Sequence, residues 1–225
     1  QVRMAVKADD VHYPVSKLVA IENTCNKGGG SIWDASRIDE VRAVCVENNL
    51  KLHLDGARLF NALIETGQST QSVGAQFDSI SICLSKGLGC PVGSLLLGDA
   101  SFIKQARRVR KVFGGGMRQA GYLASAGIYA LDYNIERLKE DHNLAKSLAQ
   151  ILSRQSWVES VIEPQTNIVV AILSEPNRQA ELLEALKQVG ILAVGFGVGR
   201  IRFVTHLDIP AESLNLCETA FQKIK

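Results

Sequence analysis

Short apolar runs and helical repeats alternate along the first half of the chain. Four runs predict strands, at 18–22, 51–55, 79–84 and 92–97. Between the first two, apolar residues recur every three or four positions from Ile38 to Cys45, which predicts a helix with Ser36 and Asp39 as its capping box. Strand, helix and strand in this order form a right-handed parallel crossover. Only seven residues, 85–91, link the last two runs, so we expect those strands to be antiparallel and the sheet to be mixed but mostly parallel.

The second half of the chain predicts longer helices and then a smaller set of strands. We expect helices at about 60 onward, 100–112, 117–154, 179–189 and 211–224, and strands at 157–162, 167–173 and 200–205. The strands and helices after about Ser153 form a small unit of their own. We therefore predict two domains, with residues 1–152 as part of a large α/β domain and 153–225 as a small C-terminal α/β domain.

Composition narrows the class of protein. Of the 225 residues 46% are hydrophobic, enough for a sizeable core, and the formal net charge is only +2, without a long run of one sign. The charge therefore gives no reason to expect nucleic acid as a partner, and a membrane is not expected because no stretch approaches the roughly 18 apolar residues of a membrane span. The five cysteines are scattered without a C-x-x-C pair, which argues against a disulfide framework or a metal site and favours the reducing cytoplasm. The chain begins with Gln1 rather than Met, so we expect it to be part of a longer protein.

Charged residues that follow the predicted strands suggest a catalytic crevice. Asp55 ends one strand and Lys86 follows the next, and ligands of open α/β sheets bind at the carboxyl ends of strands. A lysine in such a glycine-rich turn can form a Schiff base with an aldehyde, and a carboxylate beside it can pair with a bound cation or cap a helix. Arg58 and Arg202 are candidates for binding a substrate carboxylate, although an arginine placed like Arg202 on a strand is more often a solvated side chain.

Four segments carry a closer likeness to a known family. They are His53-Leu54-Asp55-Gly56-Ala57-Arg58, Cys83-Leu84-Ser85-Lys86-Gly87-Leu88-Gly89, Gly114-Gly115-Gly116-Met117-Arg118-Gln119 and Arg202-Phe203-Val204-Thr205-His206-Leu207-Asp208. In this order, together with Glu22-Asn23-Thr24 near the start, they resemble the L-threonine aldolase family. The resemblance extends over essentially the whole chain.

The resemblance implies a fold type I enzyme that uses pyridoxal 5′-phosphate and cleaves L-threonine or L-allo-threonine to glycine and an aldehyde. By this resemblance Lys86 binds the cofactor covalently, with Ser85 beside it, and Asp55 pairs with the pyridine nitrogen. Arg58 and Arg202 would bind the substrate carboxylate, and His12 would lie near the β-hydroxyl group. The remaining two matching positions, Lys111 and Arg118, would approach the site of a neighbouring subunit in a homo-oligomer, a dimer of dimers.

The resemblance also implies a missing region. Family members are longer at the N-terminus, where a glycine-rich turn binds the cofactor phosphate and a ring stacks on the pyridine, so we expect cofactor binding to require a companion N-terminal segment. Another fold type I lyase or aminotransferase shares the roles of Asp55 and Lys86 and stays open as an alternative. A non-catalytic partner chain is the alternative from another class, whereas a dinucleotide-dependent dehydrogenase is disfavoured because no G-x-G-x-x-G follows a strand.

Overall fold

The structure is a computed structural model that describes residues 1–224. The chain forms two compact units. One contains residues 1–24 and 32–132, and the other contains residues 25–31 together with the chain from Tyr133 onward. No helix among the described residues has the length and apolar character that a membrane span requires.

The sheet of the first unit contains four strands in the order β1-β2-β3-β4. Their bounds are β1 Leu18–Glu22, β2 Lys51–Gly56, β3 Ser79–Cys83 and β4 Ser94–Gly98. The strands β1, β2 and β3 are parallel, and β4 pairs with β3 in the antiparallel sense. The predicted mixed, mostly parallel sheet is therefore confirmed. Leu52 and Leu54 of β2 are fully buried and alternate with more exposed residues, as the period of a strand requires.

Helices connect and flank these strands. They are α1 Val2–Ala5, α2 Ala35–Glu47, α3 Leu59–Thr66, α4 Thr70–Gln76, α5 Ala100–Val112 and α6 Gly121–Tyr133. The helix predicted around Ile38 is α2, but the predicted cap is wrong. Asp34 caps it, since its side chain accepts a hydrogen bond from the backbone N–H of Ser36. The short helix α4 was not predicted, because Val73 is its single buried residue and its sequence lacks an apolar repeat.

The second unit has an antiparallel sheet in the order β5-β6-β8-β7. Its strands are β5 Val158–Ile162, β6 Ile168–Leu173, β7 Val194–Gly195 and β8 Arg200–Val204, and its helices are α7 Leu138–Leu152, α8 Gln179–Gln188 and α9 Ser213–Phe221, with a 3-10 turn at Pro176–Arg178. The core lies where β6 packs against α7. Phe221 is fully buried there and meets the rings of Trp157 and Phe203 edge to face, with centroids 5.9 and 6.2 Å away.

Two sequence-based boundaries differ from the structure. The helix predicted over 117–154 is two helices, α6 and α7, separated by a turn at 134–137, where Asn134 favours a turn over a helix. The second unit starts at Tyr133 rather than near Ser153, because α7 contributes buried residues to the same core as β6. It also includes the loop 25–31, which the sequence pattern assigns to the large domain.

The strand β4 is unusual for its apolar sequence. All five of its residues are exposed, and the exposed fractions of Leu95, Leu96 and Leu97 are 39%, 43% and 42%. It is an edge strand, and the following helix α5 has no buried residue. The apolar side chains of β4 and α5 are therefore not covered by the described residues.

Candidate active site

The carboxyl ends of β1, β2 and β3 meet at one edge of the first sheet. The register places Asp55 opposite Glu22 of β1 and Ser81 of β3. The C-terminal ends of the three strands therefore lie side by side. Asp55 comes one residue before the end of β2, and Lys86 follows β3 by three residues. The parallel arrangement therefore brings the two predicted cofactor-binding residues to the same sheet edge.

The backbone around Asp55 is fixed by its neighbours. The carbonyl oxygen of Asp55 accepts a hydrogen bond from the Asn23 N–H at 3.0 Å, and Asp55 Oδ1 accepts one from the Ala57 N–H at 3.1 Å. A Cβ atom on Gly56 would lie 2.8 Å from the carbonyl oxygen of Ser81, so only glycine fits at this close approach of β2 to β3. Asp55 is itself exposed, and its second carboxylate oxygen, Oδ2, is available as an acceptor for a cationic ligand.

A closed turn presents Lys86. The Gly89 N–H donates to the Lys86 carbonyl oxygen at 2.9 Å, and Gly89 has a φ of 73°, which glycine adopts without strain. The base of the loop is fixed by hydrogen bonds from the Cys90 N–H to the Leu84 oxygen and from the Leu84 N–H to the Gly93 oxygen. Lys86 and Ser85 are both exposed. The turn thus holds the backbone in place and leaves the Nζ atom accessible.

Arg58 lies beside the same edge. It directly precedes α3 and is half-buried, and it lines a small pocket with Asn61 and Cys83. The pocket is bounded by the ends of β2 and β3 and by the start of α3. A guanidinium at this position can reach a ligand bound above the strand ends, so the structure places Arg58, Asp55, Ser85 and Lys86 at one edge.

The other candidates of the first unit are His12, Lys111 and Arg118. Within the part of the chain that the structure describes, they form no hydrogen bond with the residues at this sheet edge. His12 is exposed, and its Nδ1 lies 2.7 Å from Asp10 Oδ1, which also accepts the His12 backbone N–H at 2.8 Å. These two bonds, the backbone bond first, hold the pKa of Asp10 below its ordinary value. Lys111 lies in the last turn of α5 and Arg118 in the following segment, both exposed.

Arg202 belongs to the second unit and is better fixed than a solvated side chain. It lies on β8, and its Nη1 donates to Asn26 Oδ1 at 2.7 Å. Its Cζ atom lies 5.3 Å from the centroid of the Phe196 ring, a cation–π distance. Sequence reasoning missed both partners. The segment Glu22-Asn23-Thr24, which resembles the aldolases, lies just before Asn26 in the sequence. No local pattern, however, identifies Asn26 or Phe196 as a partner of Arg202.

The family model described as beta-eliminating lyase matches residues 1–176. The chain belongs to this family. It is 44% identical over 214 residues to the low specificity L-threonine aldolase of Escherichia coli K12, in a match that covers 95% of this chain and 62% of that protein. It is 37% identical to low-specificity L-threonine aldolase 1 of Arabidopsis thaliana, with 94% and 60% covered. The predicted resemblance to threonine aldolases is thereby confirmed, and the chain spans about three fifths of the length of these relatives.

The fold of this chain has counterparts among solved structures. The threonine aldolase of Leishmania major superposes with a TM-score of 0.73 at 21% identity, covering 96% of this chain and 63% of that one. N-acetylornithine aminotransferase of Stenotrophomonas maltophilia superposes with a TM-score of 0.63 at 20% identity, covering 92% and 56%. These likenesses confirm the predicted fold type I architecture.

Proposed function

We propose that this chain is the larger part of a pyridoxal-phosphate-dependent L-threonine aldolase, a carbon–carbon lyase. The observation that carries the proposal is the placement of Asp55 and Lys86 at the carboxyl ends of the adjacent parallel strands β2 and β3. It is supported by the membership in the beta-eliminating lyase family and by the threonine aldolases among the relatives. An amino acid with a β-hydroxyl group is the corresponding substrate class.

The residues at the sheet edge fit pyridoxal phosphate by their chemistry. Lys86 offers an accessible primary amine for covalent attachment, and exposed Asp55 has a carboxylate oxygen that can accept the N–H of a protonated pyridine. Ser85 adds a hydroxyl group beside the lysine, 3.4 Å from Cys83 Sγ. When bound, the cofactor supplies an electron sink for the negative charge that develops at the substrate Cα.

The chain's own residues would bind and orient the substrate. Arg58 and Arg202 would hold its carboxylate, since a guanidinium pairs with a carboxylate through two parallel hydrogen bonds. His12 is our candidate for taking the proton of the β-hydroxyl group. Because Asp10 engages Nδ1, the atom that can accept this proton is Nε2. Loss of that proton, cleavage of the Cα–Cβ bond and protonation of Cα together give an aldehyde and glycine.

We further propose that a companion N-terminal segment completes the cofactor site. The chain covers 62% of the length of the Escherichia coli relative. None of the sequence motifs described above is the phosphate-binding turn that the resemblance implies. The exposed leucines of β4 support the proposal, because an apolar edge strand is ordinarily covered or paired.

A dimer of dimers, with Lys111 and Arg118 near a neighbouring subunit's site, is the proposed assembly. The proposed compartment is the cytoplasm, because the five cysteines are free and suit a reducing environment.

Cofactor binding provides the first test. The chain is mixed with pyridoxal phosphate, with and without the corresponding N-terminal segment of the Escherichia coli relative, and visible absorption is recorded. We expect a band in the visible only with the segment, and none with Lys86→Ala. Lys104→Ala removes an exposed lysine of α5 and is expected to keep the band. A strong band from the chain alone would contradict the need for the segment, and a band from Lys86→Ala would contradict the assignment of the lysine.

Product analysis then decides the reaction. Threonine is added to the complex that shows the band, with and without a keto acid as amino acceptor, and glycine, aldehyde, amino acid, keto acid and ammonia are measured. We expect glycine and acetaldehyde in equal amounts. A keto acid with ammonia would indicate a β-eliminating reaction, and amino transfer to a second keto acid would indicate an aminotransferase. A band without any product would favour the non-catalytic partner chain.

A further inference from the structure

Arg202 is held by Asn26, which is distant from it in sequence, and by Phe196, which precedes it by six positions. Asn26 Oδ1 accepts from its Nη1 at 2.7 Å, and the Phe196 ring lies 5.3 Å from its Cζ. Asn26 comes from the loop 25–31, which belongs to the second unit, and Phe196 follows β7. The guanidinium is thus held by a hydrogen bond at Nη1 and by a cation–π contact with a ring.

The loop that carries Asn26 is itself anchored. Cys25 and Ser31 form a bridge, with the Cys25 N–H donating to the Ser31 oxygen at 2.8 Å. The buried Thr166 donates through Oγ1 to the Gly30 oxygen at 2.9 Å. A Cβ atom on Gly30 would lie 2.7 Å from that same Oγ1, and its φ of 82° also favours glycine. The loop therefore presents Asn26 from a fixed backbone rather than from a mobile one.

The remaining donors of Arg202 identify the edge of the guanidinium that has an unpaired donor. A guanidinium has five N–H donors, and Nε and Nη2 lie side by side on the edge away from Nη1. Nε is buried and has no hydrogen-bond acceptor among the described residues. An unpaired buried donor is unfavourable, so we expect this edge to meet an acceptor in the working protein.

The charges around Arg202 favour an anion as that acceptor. Within the part of the chain that the structure describes, no carboxylate forms an ion pair with Arg202. Lys27 is a second cation near the same ring, with its Nζ 5.6 Å from the Phe196 centroid. A guanidinium edge with two parallel N–H donors in such surroundings matches the two oxygens of a carboxylate.

We propose that Asn26 and Phe196 are positioning residues that turn the Nε and Nη2 edge of Arg202 toward the carboxylate of the amino acid. Asn26 occupies Nη1 and so leaves the side edge as the bidentate donor, while the ring of Phe196 supports the guanidinium by a cation–π contact. This inference rests on the proposed function only for the identity of the ligand as an amino acid. Carboxylate binding itself can be measured without any catalysis.

The test follows the Arg202 Nε–H signal by ¹⁵N-resolved NMR of the chain, assigned by its loss in Arg202→Lys. Glycine is titrated in, and methylamine, which lacks a carboxylate, serves as the control ligand. We expect a saturable shift with glycine and none with methylamine. An absent glycine-dependent shift, or an equal shift with methylamine, would overturn the proposed carboxylate binding.

Variants separate positioning from a general structural role. We expect Asn26→Ala and Phe196→Leu each to raise the Kd for glycine about tenfold, because a mobile guanidinium must be ordered on binding. Phe196→Tyr keeps the ring and is expected to stay within about twofold of the parent chain. Val198→Ala, 87% exposed in the same turn, is the matched control. Unchanged glycine affinity in Asn26→Ala and Phe196→Leu would refute the role, whereas failure of threonine cleavage would refute the proposed function and leave these affinities unaffected.

Discussion

Asp78 joins two strands and a helix of the first unit. Its carboxylate accepts hydrogen bonds from the Leu52 backbone N–H at 2.8 Å, from Lys51 Nζ at 3.1 Å and from Arg42 Nη1. Burial alone would raise its pKa, but the bond from the Leu52 N–H, followed by those from Arg42 and Lys51, outweighs burial and lowers the pKa from 3.8 to about 2. The charged form is therefore the one that the folded chain stabilises.

The substitution Asp78→Asn removes the negative charge and leaves the size and shape of the side chain nearly unchanged. The lowering of the pKa corresponds to about 2 kcal/mol of folding free energy at neutral pH. Because the folded pKa lies below the unfolded value, the contribution is present above about pH 4 and is lost as the pH falls toward 2. We expect the variant to be less stable by about 2 kcal/mol at pH 7 and to lose less stability on acidification.

Urea unfolding at pH 7, 4, 3 and 2.5 measures both effects. The difference in unfolding free energy between the parent chain and Asp78→Asn should be constant from pH 7 to 5 and should shrink below pH 4. Asp132→Asn, which changes an exposed carboxylate of α6, is the control and should leave the profile unchanged. A difference of the same size at every pH would refute the argument, because the loss would then come from packing and not from the carboxylate charge.

Three further changes test the packing and the caps. Phe221→Ala should cost about 3–5 kcal/mol by thermal or urea unfolding, since it empties the centre of the second core, while Leu216→Ala at a 72% exposed position should cost little. Arg137→Met should cost about 3–5 kcal/mol, because it leaves the fully buried Asp141 carboxylate without its 2.8 Å ion pair; an unchanged unfolding curve would contradict this. Ser69→Ala should cost about 1 kcal/mol by loss of the α4 cap, and Ser69→Asp should restore it in the same assay.

The first sheet can be predicted from the sequence because its strands and their connections are recognised from residues that are close together in the chain. Buried strands are short apolar runs, and the crossover rule predicts parallel strands without reference to distant residues. The seven-residue link 85–91 was enough to predict an antiparallel β4. The common sheet edge of Asp55 and Lys86 follows from these two arguments.

Contacts between distant residues could not be predicted in this way. Asn26 and Arg202 are 176 positions apart, and their hydrogen bond depends on the loop 25–31 joining the second unit. On its own, the sequence Asn26-Lys27-Gly28-Gly29-Gly30 indicates a turn and nothing about the strand it meets. The helix cap at Asp34 was missed for a related reason, since Ser36 and Asp39 also match a capping pattern and only the backbone geometry decides between them.

The run Leu95-Leu96-Leu97 indicates a strand and also indicates that other residues cover both of its faces. Three consecutive leucines place large apolar side chains on both faces of a strand, which is typical of strands covered on both sides. In the described residues these leucines are about two fifths exposed, and α5 beside them has no buried residue. Strand and helix therefore form as predicted, yet their sequences suit covered positions. This mismatch is the physical argument for a companion segment, because covering apolar surface of this kind would stabilise both partners by about 25 cal/mol for each Å² removed from water.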